Sequence, residues 1–118
     1  MSTETHDRQV RAGRNQSLFR EVNERIESLR QGTYPQTEID FICECFDDGC
    51  FEPLQSVPVA DYEAVRARPD HFLVAPEHVE SAAEVVVSRN DTYWVVEKLG
   101  AAREVAVATD RRPPSRQT

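Results

Sequence analysis

Residues 41–50 read FICECFDDGC and contain every cysteine of the chain. The three thiols follow a C-x-C-x4-C pattern, at Cys43, Cys45 and Cys50. A strand over residues 39–45 places alternate side chains on one face, and these are Ile39, Phe41, Cys43 and Cys45. The sequence Asp47-Asp48-Gly49 is typical of a turn, which brings the third thiol back beside the first two. The stretch therefore predicts a strand that ends in a cluster of three sulfurs.

Such a cluster is a metal-binding pattern. Zinc takes four soft or borderline ligands in a tetrahedron, at about 2.0–2.3 Å, and a ligand from a distant segment ties two parts of a domain together. The candidates for that ligand are His78, His71 and a nearby carboxylate, whereas His6 lies in a polar N-terminal segment. We favour His78, because it follows Pro76 in a loop where its ring can be aimed freely. The predicted set is a structural zinc ion held by Cys43, Cys45, Cys50 and His78, with His71 as the alternative fourth ligand.

Two other interpretations of the cysteines stay open. The thiols can be reduced core or surface side chains without a metal. A disulfide between Cys43 and Cys45 closes a strained ring and is disfavoured. No Lys or Arg stands between Arg30 and Arg66, and a thiolate needs a cation or a metal beside it. The local sequence therefore favours a metal.

Working outward, residues 15–30 predict an amphipathic helix. Its apolar residues recur at steps of three and four positions, at Leu18, Val22, Ile26 and Leu29, and Phe19 widens this stripe. A domain of this size needs apolar area for its core, so we expect the stripe to pack on the domain's own sheet rather than on a partner.

The remaining elements predict an α+β domain over residues 14–110. The N-terminal helix and short helices over residues 58–67 and 101–109 are expected to pack on a small, mainly antiparallel sheet. That sheet is built around a hairpin over residues 84–98, with a short strand at residues 71–75. The expected core includes Phe41, Phe72, Trp94 and the valine run. Residues 1–13 and 111–118 are expected to be disordered tails.

Composition excludes several classes of protein. The chain has 118 residues and a formal charge of -7, which argues against a protein that coats nucleic acid or an anionic membrane. It contains no apolar run of the length needed to span a membrane and no signal-peptide core. Cysteines without an export signal fit the cytoplasm. Lys98 is the only lysine beside many arginines, which points to a high-GC bacterial source.

Five motifs together resemble a known group of sequences. They are LFREVNERI at 18–26, FICEC at 41–45, DYEAVR at 61–66, FLVAP at 72–76 before His78, and YWVVEK at 93–98. This combination is similar to a group of small bacterial proteins from high-GC species with a C-x-C-x4-C…H pattern. The resemblance implies one coherent domain over about residues 15–110 and implies no reaction. In similar sequences a glycine often precedes the histidine, where this chain has Glu77.

These observations favour a small zinc-stabilised interaction or regulatory protein without catalytic activity, with another protein as partner. A nucleic-acid-binding zinc module is the first alternative, although only the Arg-rich N-terminus or Arg111-Arg112 could meet phosphates. A thiol-redox or zinc-dependent enzyme is the second, with Glu44 or Glu77 as a base. No Ser-His-Asp arrangement or phosphate-binding loop is visible, and the oligomeric state is open.

Overall fold

The computed structural model describes residues 2–32, 36–45 and 50–110. Its helices and strands are, in chain order, α1 (Ser2–Arg30), β1 (Glu38–Ile42), β2 (Pro53–Pro58), α2 (Val59–Arg66), β3 (His71–Val74), β4 (Glu84–Arg89), β5 (Trp94–Lys98) and α3 (Gly100–Ala108). This arrangement confirms the predicted α+β class. The predicted Asp47-Asp48-Gly49 turn and the C-terminal tail over 111–118 lie outside the described residues.

The strands form two small antiparallel sheets. In the first, β1 pairs with β2, and Phe41 lies opposite Leu54. In the second, β5 lies between β3 and β4, and Leu73 lies opposite Val95. The predicted hairpin over residues 84–98 is therefore confirmed. The strand β2 is present in addition to the strands that the sequence predicted.

The two sheets share one hydrophobic core. Phe41 stacks on Tyr62 of α2, with 4.2 Å between the ring centroids, and Phe72 is fully buried. Trp94 is only half-buried and packs against the edge of this core, with the Arg89 guanidinium 4.9 Å from its ring. The valine run is also divided. Val95 and Val96 are buried, as predicted, but β4 is an edge strand whose alternate valines, Val85 and Val87, face solvent.

The helix α1 differs from its prediction in length. It begins at Ser2 rather than at Asn15, whereas the sequence predicted a disordered tail over residues 1–13. Extending an existing helix costs little free energy compared with nucleating one, and residues 2–14 contain no proline. A polar segment can therefore continue a helix whose later turns are held by the domain.

The buried face of α1 is also different from the predicted one. The stripe expected in the core is largely exposed at Leu18, Val22 and Leu29. The face against the domain carries mostly polar side chains, and these are Gln16, Arg20, Asn23 and Glu27, beside Phe19. The prediction that the apolar stripe packs on the domain is therefore wrong for these three residues, whereas Phe19 is buried and Ile26 packs against the core.

Arg20 shows why a polar face is buried here. Its guanidinium donates to the carbonyl oxygens of Pro69, at 2.7 Å, and of Ala106, at 3.0 Å. It also lies 4.6 Å from the centre of the Phe72 ring. Pro69 lies in a loop and Ala106 lies in the last turn of α3, where carbonyl groups have no partner further along the helix, and a buried carbonyl needs a donor. One arginine thus connects α1 with α3 and with the loop before β3.

Candidate metal centre

The structure brings the four predicted ligands together. Cys43 and Cys45 follow the end of β1, Cys50 precedes β2, and His78 lies in the connection between β3 and β4. Their ligand atoms, three Sγ and one imidazole nitrogen, all lie within 4.8 Å of one another. Residues far apart in the chain therefore form one Cys3His cluster that can hold a metal ion.

Two sulfur–nitrogen distances within the cluster match those around a tetrahedral ion. His78 Nδ1 lies 3.5 Å from Cys43 Sγ and 3.6 Å from Cys50 Sγ. A tetrahedral ion with metal–sulfur bonds of about 2.3 Å and a metal–nitrogen bond of about 2.0–2.1 Å holds sulfur and nitrogen about 3.5–3.6 Å apart. The imidazole thus stands at a separation from two sulfurs that allows all three to bind one tetrahedral metal ion.

Backbone amides also point at the sulfurs. The amide of Ala75 donates to Cys43 Sγ at 3.1 Å, and the amide of Glu52 donates to Cys50. A hydrogen-bond donor stabilises a thiolate more than a thiol. These amides are therefore placed to share the negative charge of metal-bound sulfur.

Without a metal, the same environment favours protonated thiols. A hydrogen bond with Cys45 and burial raise the pKa of the Cys43 thiol far above its ordinary value. Burial is also the main cause that raises the pKa of Cys50. Cysteines that bind metals do so as thiolates, so a metal must displace these protons. The site is thus suited to a cation with high affinity for sulfur.

The structure distinguishes between the two candidate histidines. His78 turns Nδ1 toward the sulfurs, while its Nε2 lies 3.5 Å from Glu52 Oε1. His71 begins β3, and its Nε2 lies 3.4 Å from Glu97 Oε1, away from the cluster. Glu77, directly before His78, adopts a positive φ of 74°, a conformation that glycine adopts more readily than other residues. This turn directs the His78 ring to the sulfurs.

Glu44 lies between two cysteines but is not placed as a catalytic base. Its side chain is completely buried and accepts hydrogen bonds from the Leu73 amide at 2.9 Å and from Asn23 Nδ2 at 2.7 Å. Burial raises the pKa of Glu44, and these two donors oppose that change. Its backbone amide also donates to Leu73 O, at 2.8 Å. Glu44 therefore joins the ligand-bearing segment to β3.

The polar face of α1 holds the same segment from the other side. Asn23 donates to Ile42 O at 2.8 Å and accepts from the Ile42 amide at 2.9 Å. Gln16 donates to Glu44 O at 2.9 Å. Reasoning from apolar periodicity missed these residues. The available signal was the set of polar residues at helical spacing, which are Gln16, Arg20, Asn23 and Glu27.

A buried cation also lies near the cluster, which the sequence did not reveal. Lys98 on β5 is fully buried, forms an ion pair with Glu84 on β4, and interacts with Cys45 through its charge. Burial lowers the pKa of Lys98, and the negative charge of Glu84 opposes this effect. Residues 31–65 contain no Lys or Arg. The fold nevertheless places one cationic side chain, that of Lys98, near Cys45.

None of the helices, within the described ranges, is long and apolar enough to cross a lipid bilayer. Comparison with known proteins gives no match to any family model, to any curated protein or to any solved structure.

Proposed function

We propose that this chain is a small interaction or regulatory protein whose fold is stabilised by one structural zinc ion, and that it has no catalytic activity. The observation that carries the proposal is the Cys3His cluster, whose sulfur–nitrogen distances match a tetrahedral zinc ion. Three thiolates and one imidazole are a common ligand set of structural zinc sites. Harder cations such as Mg²⁺ and Ca²⁺ prefer oxygen ligands instead.

A structural role agrees with where the ligands come from. Cys43 and Cys45 follow β1, Cys50 precedes β2, and His78 belongs to the connection that leaves the second sheet. One ion therefore connects both small sheets, neither of which has more than three strands. Sheets this small are marginal on their own, so a metal crosslink contributes directly to folding.

The donor set also supports a non-catalytic ion. Catalytic zinc keeps one coordination position for water or substrate, whereas four protein ligands complete the tetrahedron. Glu44, one of the two carboxylates considered as a base, is completely buried. The remaining function then lies on the surface, and the negative net charge favours a protein as partner over nucleic acid. Free thiols in all three cysteines fit a reducing compartment such as the cytoplasm.

The test is the metal content of protein purified without added metal or chelator. We expect one zinc ion per chain in the wild type and in His71→Ala, and loss of that zinc in His78→Ala. The two variants remove the same side chain, one inside the cluster and one outside it. Unfolding by urea should show lower stability for His78→Ala only. Protein with three freely titrating thiols and no metal, at undiminished stability, would refute the proposal.

A further inference from the structure

The outward face of α1 is apolar, although it faces solvent. Leu18 is 57% exposed, Val22 is 39% exposed and Leu29 is 74% exposed. These positions lie within a narrow stripe of the helix surface, opposite the polar side chains that contact the domain. Helices of single-chain domains ordinarily have the reverse arrangement. We call Leu18, Val22 and Leu29 the outer stripe.

The outer stripe continues beyond the helix. Phe51 is 66% exposed and packs edge-on against Phe19, with 5.5 Å between the ring centroids. Phe19 lies one helical turn before Val22, so the aromatic pair borders the stripe. Contiguous exposed apolar patches of this kind mark protein–protein contacts.

The charges beside the stripe indicate what covers it. Glu21 and Arg25 lie on the flank of the outer stripe, and Arg25 is exposed. If a second α1 crosses antiparallel over the stripe, Leu18 meets Leu29 of the second copy. In the same register, Glu21 of each copy lies beside Arg25 of the other. In a parallel pair this flank would instead face the opposite flank of the second helix, where Phe19 and Ile26 lie, so the two charges would not meet.

We propose that the outer stripe is the interface of a homodimer, in which two α1 helices pack antiparallel about a two-fold axis near residues 23–24. Such an interface is self-complementary and closes after two copies. Each leucine contact and each Glu21–Arg25 pair occurs twice. This dimer rests on the proposed interaction role, because it gives that role a surface, the outer stripe, and a partner, a second copy of the chain.

The dimer is expected to be weak. Its apolar centre consists of two leucine layers with Val22 between them, and it falls among the smaller specific interfaces, below about 1,200 Å². We therefore expect a dissociation constant in the micromolar range. Sedimentation equilibrium of the zinc-loaded full chain, from about 1 to 500 µM, covers that range.

Charge reversal tests the dimer, because residues that only stabilised the monomer would not restore association when two variants are mixed. Glu21→Arg or Arg25→Glu alone places like charges together at both ends of the dimer, and each should weaken association about tenfold or more. An equimolar mixture of the two variants restores both opposite-charge pairs, so it should form a heterodimer with wild-type affinity. Glu104→Arg, at an exposed position of α3, makes the same charge change elsewhere and should leave association unchanged.

Two results would overturn the inference: a monomer at every concentration, which would leave the stripe to a different protein, or a mixture that associates no better than its single components. Zinc is measured in the same samples. Zinc-loaded protein that stays monomeric refutes only the dimer, whereas metal-free protein that dimerises as described refutes only the zinc site.

Discussion

Replacing Asn23 by leucine tests whether the polar face of α1 holds the metal-ligand segment. The Asn23 side chain is completely buried and takes part in three hydrogen bonds. Two of them join the carbonyl and the amide of Ile42, at 2.8 and 2.9 Å, and the third reaches Glu44 Oε2 at 2.7 Å. Leucine has a similar size, so the substitution removes the polar atoms with little change of volume.

The expected cost follows from those three bonds. The two bonds to neutral Ile42 groups contribute about 1 kcal/mol each, and the bond to the carboxylate contributes about 1.5–3 kcal/mol. Because leucine leaves the Ile42 groups buried without this partner, we expect Asn23→Leu to lower the free energy of unfolding by about 3–5 kcal/mol. That is a large part of the roughly 5–15 kcal/mol that stabilises an ordinary domain. By the periodicity of apolar residues alone, the same substitution would be neutral or stabilising.

Urea unfolding followed by the fluorescence of Trp94, the only tryptophan, measures this change. The reciprocal substitution Val22→Asn, on the exposed face, is the control and should stay within about 0.5 kcal/mol of the wild type. Both are measured on zinc-loaded protein at a concentration that keeps it monomeric. Zinc affinity should also fall in Asn23→Leu, because Ile42 and Glu44 flank Cys43. A decrease in the free energy of unfolding of less than about 1 kcal/mol would show that the hydrogen bonds of Asn23 do not hold the ligand-bearing segment.

Two further predictions concern the histidine ligand and the pH dependence of stability. Glu52→Gln removes the charge that faces Nε2 of His78, so zinc affinity measured against a chromophoric chelator should fall about tenfold, as for other outer-shell partners. Glu38→Gln is the matched control and should bind zinc as the wild type does. Burial and a 2.6 Å hydrogen bond to Asp61 raise the pKa of Tyr93 from 10.0 to about 12. The folded state thus favours the protonated phenol, so this stabilisation is complete below about pH 10 and is lost as the pH rises through about 12. Between these pH values, the stability advantage of the wild type over Tyr93→Phe should decrease, and a constant difference would contradict the assignment.

Several features follow from the sequence alone because their causes are local. The C-x-C-x4-C spacing places three sulfurs within a few residues, and the structure brings them together with His78. The strand character of residues 71–74 and 94–98 comes from β-branched and aromatic side chains, and both strands are present. The helix over residues 15–30 is likewise present, since its period and composition are local properties.

Other features depend on what lies opposite each element. Apolar periodicity identifies a helix but assumes that its apolar side faces the domain. Here the segment across from α1 presents the backbone of Ile42 and Glu44, and buried backbone groups require hydrogen-bond partners. Asn23 and Gln16 therefore face inward, and the outer stripe faces outward.

The choice between two histidines was also made by tertiary structure. Both His71 and His78 lie close in sequence to the same strand, so spacing alone left both open. The turn at Glu77 directs one ring to the sulfurs, while the pairing of β3 with β5 places the other beside Glu97. The sequence alone thus determined the donor types of the candidate metal site and the class of the fold. Only the packing of distant segments decided which histidine joins the three sulfurs and which face of α1 is exposed, because both depend on groups that are far apart in the chain.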